Sequence, residues 1–234
     1  MLKAFVRRAA TYTGLAETER IRAALAAVSR PGWPYCPADE GDLLFELAKA
    51  SGDQDALEVG FATGSTAAYI LHGLATGKLT SIDYDQNHYE REGEKLIDSL
   101  GFAVRHRLIE DNSIRALPEL HASGARYGLV FLDGWKTFDH IWVDTFYCAR
   151  MLNLGGFLVF DDARMQAVRK CMSLLRRYYR FADVDGYARI GGGRLRVWHT
   201  LTTRTPRRPY VALQKVIEID QTEAGRQFDF WTPF

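Results

Sequence analysis

Several features that would place a chain in other classes are missing from these 234 residues. No apolar run approaches the roughly 18 residues of a membrane-spanning helix, so no membrane association is expected. No charge of one sign dominates: 30 Lys and Arg against 29 Asp and Glu leave +1, too little for a polycation that would gather nucleic acid. Cysteine is scarce, with Cys36, Cys148 and Cys171 odd in number, widely spaced and without metal-ligand spacing. They read as reduced thiols of a cytoplasmic protein rather than a disulfide framework. What is present is globular. With 47% hydrophobic and 25% charged residues, disorder, collagen-like repeats and coiled coils are excluded, and the length suits a single α/β domain.

The first residues carry Lys3, Arg7 and Arg8 and no acid before Glu17, loosely like a mitochondrial presequence, yet they lack a secretory apolar core and a small-residue cleavage site. An N-terminal helix of the mature protein is expected. A clearer helix follows, with Ile21, Leu25 and Val28 on one face and Glu17 and Glu19 in its first turn. Pro31-Gly-Trp-Pro34 and Pro37 break it. Asp39 is the expected N-cap of the next helix, with Leu43, Leu44 and Leu47 on its face and Gly52 at its end.

From Ala56 the pattern changes to short apolar runs at Ala56–Gly60, Leu79–Tyr84, Val104–Ile109, Tyr127–Asp133 and Gly156–Phe160, separated by stretches long enough for helices, such as Thr137–Leu152. Strands apolar on both faces and joined by helical crossovers predict a parallel sheet covered on both sides. Arg194–Leu201 and Tyr210–Val216 also read as strands, too closely spaced for a crossover, and are expected to pair antiparallel. The expected organisation is a helical extension and loop over residues 1–38, a core over 39–217 and an aromatic tail over 218–234. The tail, with Phe228, Phe230, Trp231 and Phe234, is expected to pack on the protein or on a second copy, which leaves a homodimer open.

Ligands of open parallel sheets bind beyond the carboxyl ends of the strands, so the residues at those ends are the candidates. The first strand ends Leu57-Glu58-Val59-Gly60-Phe61-Ala62-Thr63-Gly64-Ser65-Thr66. Gly60 and Gly64 permit a tight turn and close approach of a ligand, while Ser65 or Thr66 can cap the next helix. The spacing is wrong for a dinucleotide fingerprint, and no phosphate-loop lysine follows. The second strand ends Asp83-Tyr84-Asp85. A carboxylate at position 83 can accept the hydroxyl hydrogens of a ribose, a helix cap being the alternative. The third ends in the polar cluster Asp111-Asn112-Ser113, able to bond an adenine amino group, with Ser113 also a potential cap.

The fourth strand ends Asp133-Gly134-Trp135-Lys136 and the fifth Asp161-Asp162. Three carboxylates at adjacent strand tips repel and desolvate one another unless a cation sits among them. Hard oxygen ligands suit Mg²⁺ or Ca²⁺ better than zinc. The alternatives are a helix cap or a salt bridge to Lys136.

Taken in order, these motifs resemble class I S-adenosylmethionine-dependent methyltransferases, most nearly the catechol O-methyltransferase-like branch and bacterial small-molecule O-methyltransferases. The resemblance covers roughly Asp39 to Val216. It implies a Rossmann-like, mostly parallel seven-stranded sheet of order 3-2-1-4-5-7-6 with helices on both faces. It also implies cofactor contacts from Glu58, Gly60, Phe61, Gly64, Ser65, Thr66, Asp83, Tyr84, Asp111, Asn112, Ser113 and Asp133. The metal ligands it implies are Asp133, Asp161 and Asp162, with Lys136 as catalytic base. Gly134 and Asp162 depart from the catechol enzymes, which have histidine and asparagine there. Many bacterial relatives have histidine where this chain has Lys136.

The expected reaction is O-methylation of a small-molecule hydroxyl, assisted by a divalent cation, with Asp133 and Lys136 catalytic and His140 an alternative base. N-methylation, an RNA acceptor or a silent cofactor-binding protein are the alternatives. No Asn-Pro-Pro-Tyr-type motif follows the fourth strand, which disfavours amino methylation of bases. The basic stretch Arg169, Lys170, Arg176, Arg177 and Arg180, with Met165, Val168, Met172 and Leu175 as its apolar face, reads as a solvated helix rather than a nucleic-acid surface. Trp33, Tyr35 and Trp135 are candidates for the acceptor pocket.

Overall fold

The computed structural model describes residues 16–184 and 209–219. The strands are β1 (Ala56–Val59), β2 (Leu79–Asp83), β3 (His106–Glu110), β4 (Tyr127–Leu132), β5 (Leu152–Phe160), β6 (Phe181–Asp183) and β7 (Val211–Lys215). They form one seven-stranded sheet of order β3-β2-β1-β4-β5-β7-β6. The β3-β2-β1-β4-β5 portion is parallel, and β7 runs antiparallel to both of its neighbours. Every residue of β1 and β4 is buried, as expected of central strands covered on both faces.

The helices α1 (Glu19–Val28), α2 (Ala38–Ser51), α3 (Ser65–Gly73) and α4 (Glu92–Ser99) pack on one face. There Ile21, Leu25, Leu44, Leu47, Ile70 and Ile97 share one core with Ala56 and Phe131. The other face is covered by α5 (Ser113–Ala122), α6 (Phe138–Met151) and α7 (Gln166–Tyr178), whose Leu117, Ile141, Cys148, Val168 and Met172 pack with Leu57, Val130 and Leu158. All three cysteines are free. No helix among the described residues is long and apolar enough to cross a membrane.

Several local expectations need correction. Helix α2 starts at Ala38 after Pro37, so Asp39 lies within its first turn, where its carboxylate accepts the Tyr210 hydroxyl. Gly64, at φ +71°, is the N-cap of α3, because a left-handed turn brings the chain into the helix and leaves Ser65 and Thr66 already helical. Asn112, not Ser113, caps α5, its side chain accepting the Ile114 N–H at 3.1 Å. Helix α7 begins after Met165, which is exposed and so lies outside the apolar face; it also begins beyond the reach of Asp161 or Asp162 as caps. A 3₁₀ turn over Ala103–Arg105 delays β3 to His106. Besides β5, the antiparallel partner found for β7 is the three-residue β6, too short to show a periodicity; the expected strand at 194–201 lies outside the described residues, as does the aromatic tail.

Candidate active site

The carboxyl ends of β1, β2, β4 and β5 lie side by side in register. Val59 is level with Ile82 and Leu132, and Leu132 with Phe160. Backbone bonds continue this register past the strands, from the Asp133 N–H to Val59 O at 2.7 Å and from the Asp161 N–H to Leu132 O at 3.1 Å. The acids that follow each strand are thereby held at one edge. A cavity of about 800 Å³ opens there.

The β1–α3 loop forms its floor. Gly60 adopts φ +96°, and a Cβ there would run into the Asp133 carbonyl, so this position needs glycine both for conformation and for contact with β4. The Asp83 carboxylate fixes the loop: Oδ2 accepts the N–H groups of Phe61 and Ala62, both at 2.7 Å, and Oδ1 accepts that of Asp85 at 3.2 Å. Of the roughly four lone-pair directions of a carboxylate, one is left for a ligand. The cap-like role falls to Asp85, which accepts the N–H groups of Asn87 and His88. Glu58 lies beneath the loop, fully buried, accepting the hydroxyls of Thr66 and Ser81. Burial pushes its carboxyl up to about 8, against the pull of those two hydroxyls.

Gly60, Phe61, Ser65, Thr66, Asp83 and Tyr84 line the cavity, whereas Glu58 and Gly64 support it from behind. Tyr84 stands on the rim, largely exposed. Asp111, Asn112 and Ser113 line the β3 side, and Asp111 is held below the usual carboxylate range by Arg115.

At the β4–β5 side, one oxygen from each of Asp133, Asp161 and Asp162 lies within 4.8 Å of the others. Lys136 Nζ donates to Asp133 Oδ1 at 2.7 Å and Gly134 O at 3.1 Å, and stands 3.7 Å from Asp162 Oδ2. Burial, followed by the charge of Asp133, pushes the Asp161 carboxyl up to about 7. This acidic cluster exceeds the single lysine that faces it, and its oxygen-only donor set fits Mg²⁺ or Ca²⁺. His140, also lining the cavity, is positioned by Thr137 Oγ1 at 2.9 Å from Nδ1. Trp135 lines the mouth and is 68% exposed.

Of the aromatic residues expected at an acceptor pocket, Tyr35 and Trp135 line the cavity and Trp33 does not, and one further group, Glu40, was not singled out by the sequence reading. The segment between α1 and α2 closes one side of the cavity with Pro34, Tyr35, Cys36 and Pro37. It is tied down by the Thr63 hydroxyl donating to Pro34 O at 2.6 Å, by the Cys36 N–H donating to Ser65 Oγ at 2.9 Å, and by Trp33 edge-on to Tyr89. The group that sequence reasoning missed is Glu40, 4% exposed in the first turn of α2 and lining the cavity. Its signal was available: an acid one turn before Leu43 and Leu44 lies on the apolar stripe of its helix. Asp144, fully buried on α6 behind Gly134, is likewise pushed up by burial, to about 6.

Residues 57–163 match a family model described as a methyltransferase domain. No curated protein matches the chain in sequence. Among solved structures, an O-methyltransferase from Bacillus cereus in complex with S-adenosylhomocysteine (SAH) has a TM-score of 0.63 at 14% identity, covering 92% of this chain and 100% of that one. A Corynebacterium glutamicum protein has a TM-score of 0.62 at 23% identity, covering 94% and 97%. The O-methyltransferase TomG from Streptomyces achromogenes, involved in tomaymycin synthesis and solved with S-adenosylmethionine (SAM), has 0.57 at 19% identity over 70% and 78%. At these identities the likeness is one of fold.

Proposed function

We propose that this chain, whose residues 57–163 match a family model described as a methyltransferase domain, is a SAM-dependent O-methyltransferase acting on a hydroxyl of a small molecule. One observation carries the reading: a single cavity joins the Gly60 loop and Asp83 to the corner built by Asp133, Asp161, Asp162 and Lys136. The first part suits a nucleoside and the second a reacting oxygen. In this reading Asp83 accepts a ribose hydroxyl, Asp111, Asn112 and Ser113 face the adenine, and Phe61 with Tyr84 walls the nucleoside.

Asp133, Asp161 and Asp162 would hold a divalent cation, which when bound supplies a Lewis acid that lowers the pKa of a ligated hydroxyl. The chain's own groups do the rest. Lys136 Nζ spends two hydrogens on Asp133 and Gly134. An ion-paired ammonium is a donor, and its third hydrogen is assigned to the acceptor's developing oxyanion. Proton removal is assigned to His140 in the tautomer whose Nδ1–H donates to Thr137 Oγ1, which leaves Nε2 as the acceptor. In-line attack brings a negative oxygen to a positive sulfonium, and charge is lost as they meet. A dry, oriented cavity therefore favours the step. The cavity mouth at Trp135 is suited to an acceptor with a ring.

Thermal unfolding with SAM, SAH and NAD, each with and without Mg²⁺, tests the cofactor. A ligand that binds only the folded state raises the midpoint by mass action. Shifts with the two sulfur nucleosides and none with NAD are expected; a shift with NAD alone would favour a dehydrogenase.

A further inference from the structure

Both oxygens of the buried Glu58 accept hydroxyl hydrogens, Oε1 from Thr66 of α3 and Oε2 from Ser81 of β2 at 2.8 Å. That pattern fits a carboxylate, which only accepts. Yet burial pushes this carboxyl up to about 8, so near neutral pH it carries a proton, and a carboxylic acid must donate one of the two bonds. One hydroxyl then has to turn round. Ser81 has an acceptor for its hydrogen, since His106 Nε2 lies 3.0 Å from the same Oγ. Thr66 Oγ1 has no second partner among the described residues.

The imidazole is fixed in place. It stacks on Phe61 with ring centroids 4.9 Å apart and planes at 24°, which keeps Nε2 aimed at Ser81. Burial holds His106 down to about 4, against the upward pull of Glu94 on α4, so the ring is neutral while Glu58 titrates. A neutral imidazole has one hydrogen to place. With Glu58 ionised, Ser81 donates to Glu58 and the His106 Nε2–H donates to Ser81. With Glu58 protonated, Glu58 donates to Ser81, Ser81 donates to Nε2, and the ring hydrogen sits on Nδ1. Thr66, which lines the cavity, donates to Oε1 in both states. The titratable groups beside Glu58 are Asp83 after β2, Asp133 after β4 and the Cys36 thiol between α1 and α2; beside His106 it is Glu94, paired with Arg91 at 2.6 Å.

We propose that Ser81 and His106 form a proton path connecting the buried Glu58 to the edge of the sheet, where His106 is partly exposed on β3. On ionisation the Glu58 proton passes to Ser81 Oγ, the Ser81 hydrogen passes to His106 Nε2, and the Nδ1 hydrogen leaves to water. Only Glu58 changes its charge. NMR of the imidazole nitrogens in the ligand-free protein tests this, and it needs neither cofactor nor turnover, so its outcome is separate from that of the methyl-transfer reading. Wild-type His106 should be the Nδ1–H tautomer at about pH 6 and the Nε2–H tautomer at about pH 10, on either side of the Glu58 titration. In Glu58→Gln the amide donates to Ser81 at every pH, and His106 should stay Nδ1–H throughout. Ser81→Ala severs the path and should leave the His106 tautomer independent of pH. A single tautomer at both pH values in the wild type overturns the proposal. A change of tautomer that persists in either variant overturns it as well.

Discussion

Side chains of one type do different work at this sheet edge because their surroundings differ. Asp83 is held by backbone N–H groups, Asp133 by Lys136, and Glu58 by two hydroxyls inside the core. Replacing both Asp133 and Asp161 by Ala is expected to lower turnover by about 10²-fold or more and to abolish stabilisation by Mg²⁺. Unchanged turnover and unchanged ion dependence in that variant would reject the metal assignment. Glu58 sets a pH dependence of stability. Its carboxyl rises from the ordinary 4.5 to about 8 on folding, so its contribution is fully present below about 4.5 and is lost as pH rises through about 8. Glu58→Gln has no proton to lose. Its unfolding midpoint should therefore fall less than that of the wild type between about pH 5 and 8, each kcal/mol amounting to roughly 2–4 °C in a chain of this size. Equal falls in the two proteins would mean that Glu58 ionises as freely in the folded state as in the unfolded one.

Among the elements, the β1–α3 loop and the segment between α1 and α2 set the cavity. Gly60→Ala combines a positive φ with a clash against the Asp133 backbone. It should cost about 2 kcal/mol or more and remove SAH binding, read by denaturant titration and calorimetry. The segment across the cavity is held by contacts that can be weakened separately. Trp33 meets Tyr89 edge-on at 5.9 Å, and the Arg30 guanidinium lies 4.6 Å over the same indole while pairing with Glu90 and Glu92. Trp33→Ala should weaken SAH binding roughly three- to tenfold with little change in the unfolding midpoint, since this aromatic pair sits outside both cores. A midpoint drop of several degrees would instead make the segment a structural part of the fold.

Over the whole molecule, stability is graded from the middle of the sheet outward. Strands β1 and β4 are buried throughout, whereas β3 is at one edge and β6, three residues long, at the other. Native-state hydrogen exchange should find the slowest amides in β1 and β4 and the fastest strand amides in β3 and β6. The reverse order would contradict the parallel core as the last unit to open. The formal charge of +1 conceals a cavity dominated by acids, since total charge says nothing of where the signs gather.

The parallel core was legible because fully buried strands must be apolar on both faces and crossovers must be long; the strand tips then followed, and with them Asp83, Asp133, Asp161 and Asp162. Helix starts were less legible. A cap depends on the backbone angle of one residue, and Asn112 and Ser113 are equally good on paper, while only the fold shows which one leaves the helical region. Periodicity and composition act locally, and so they set which residues stand at each strand tip. Which acids share a neighbourhood is a matter of packing. Glu40 lies within the field of Asp161, and Lys136 sits between Asp133 and Asp162, because sheet order 1-4-5 and the packing of α2 bring together groups that are distant along the chain, and in a desolvated crevice it is that distance in space which fixes their electrostatics.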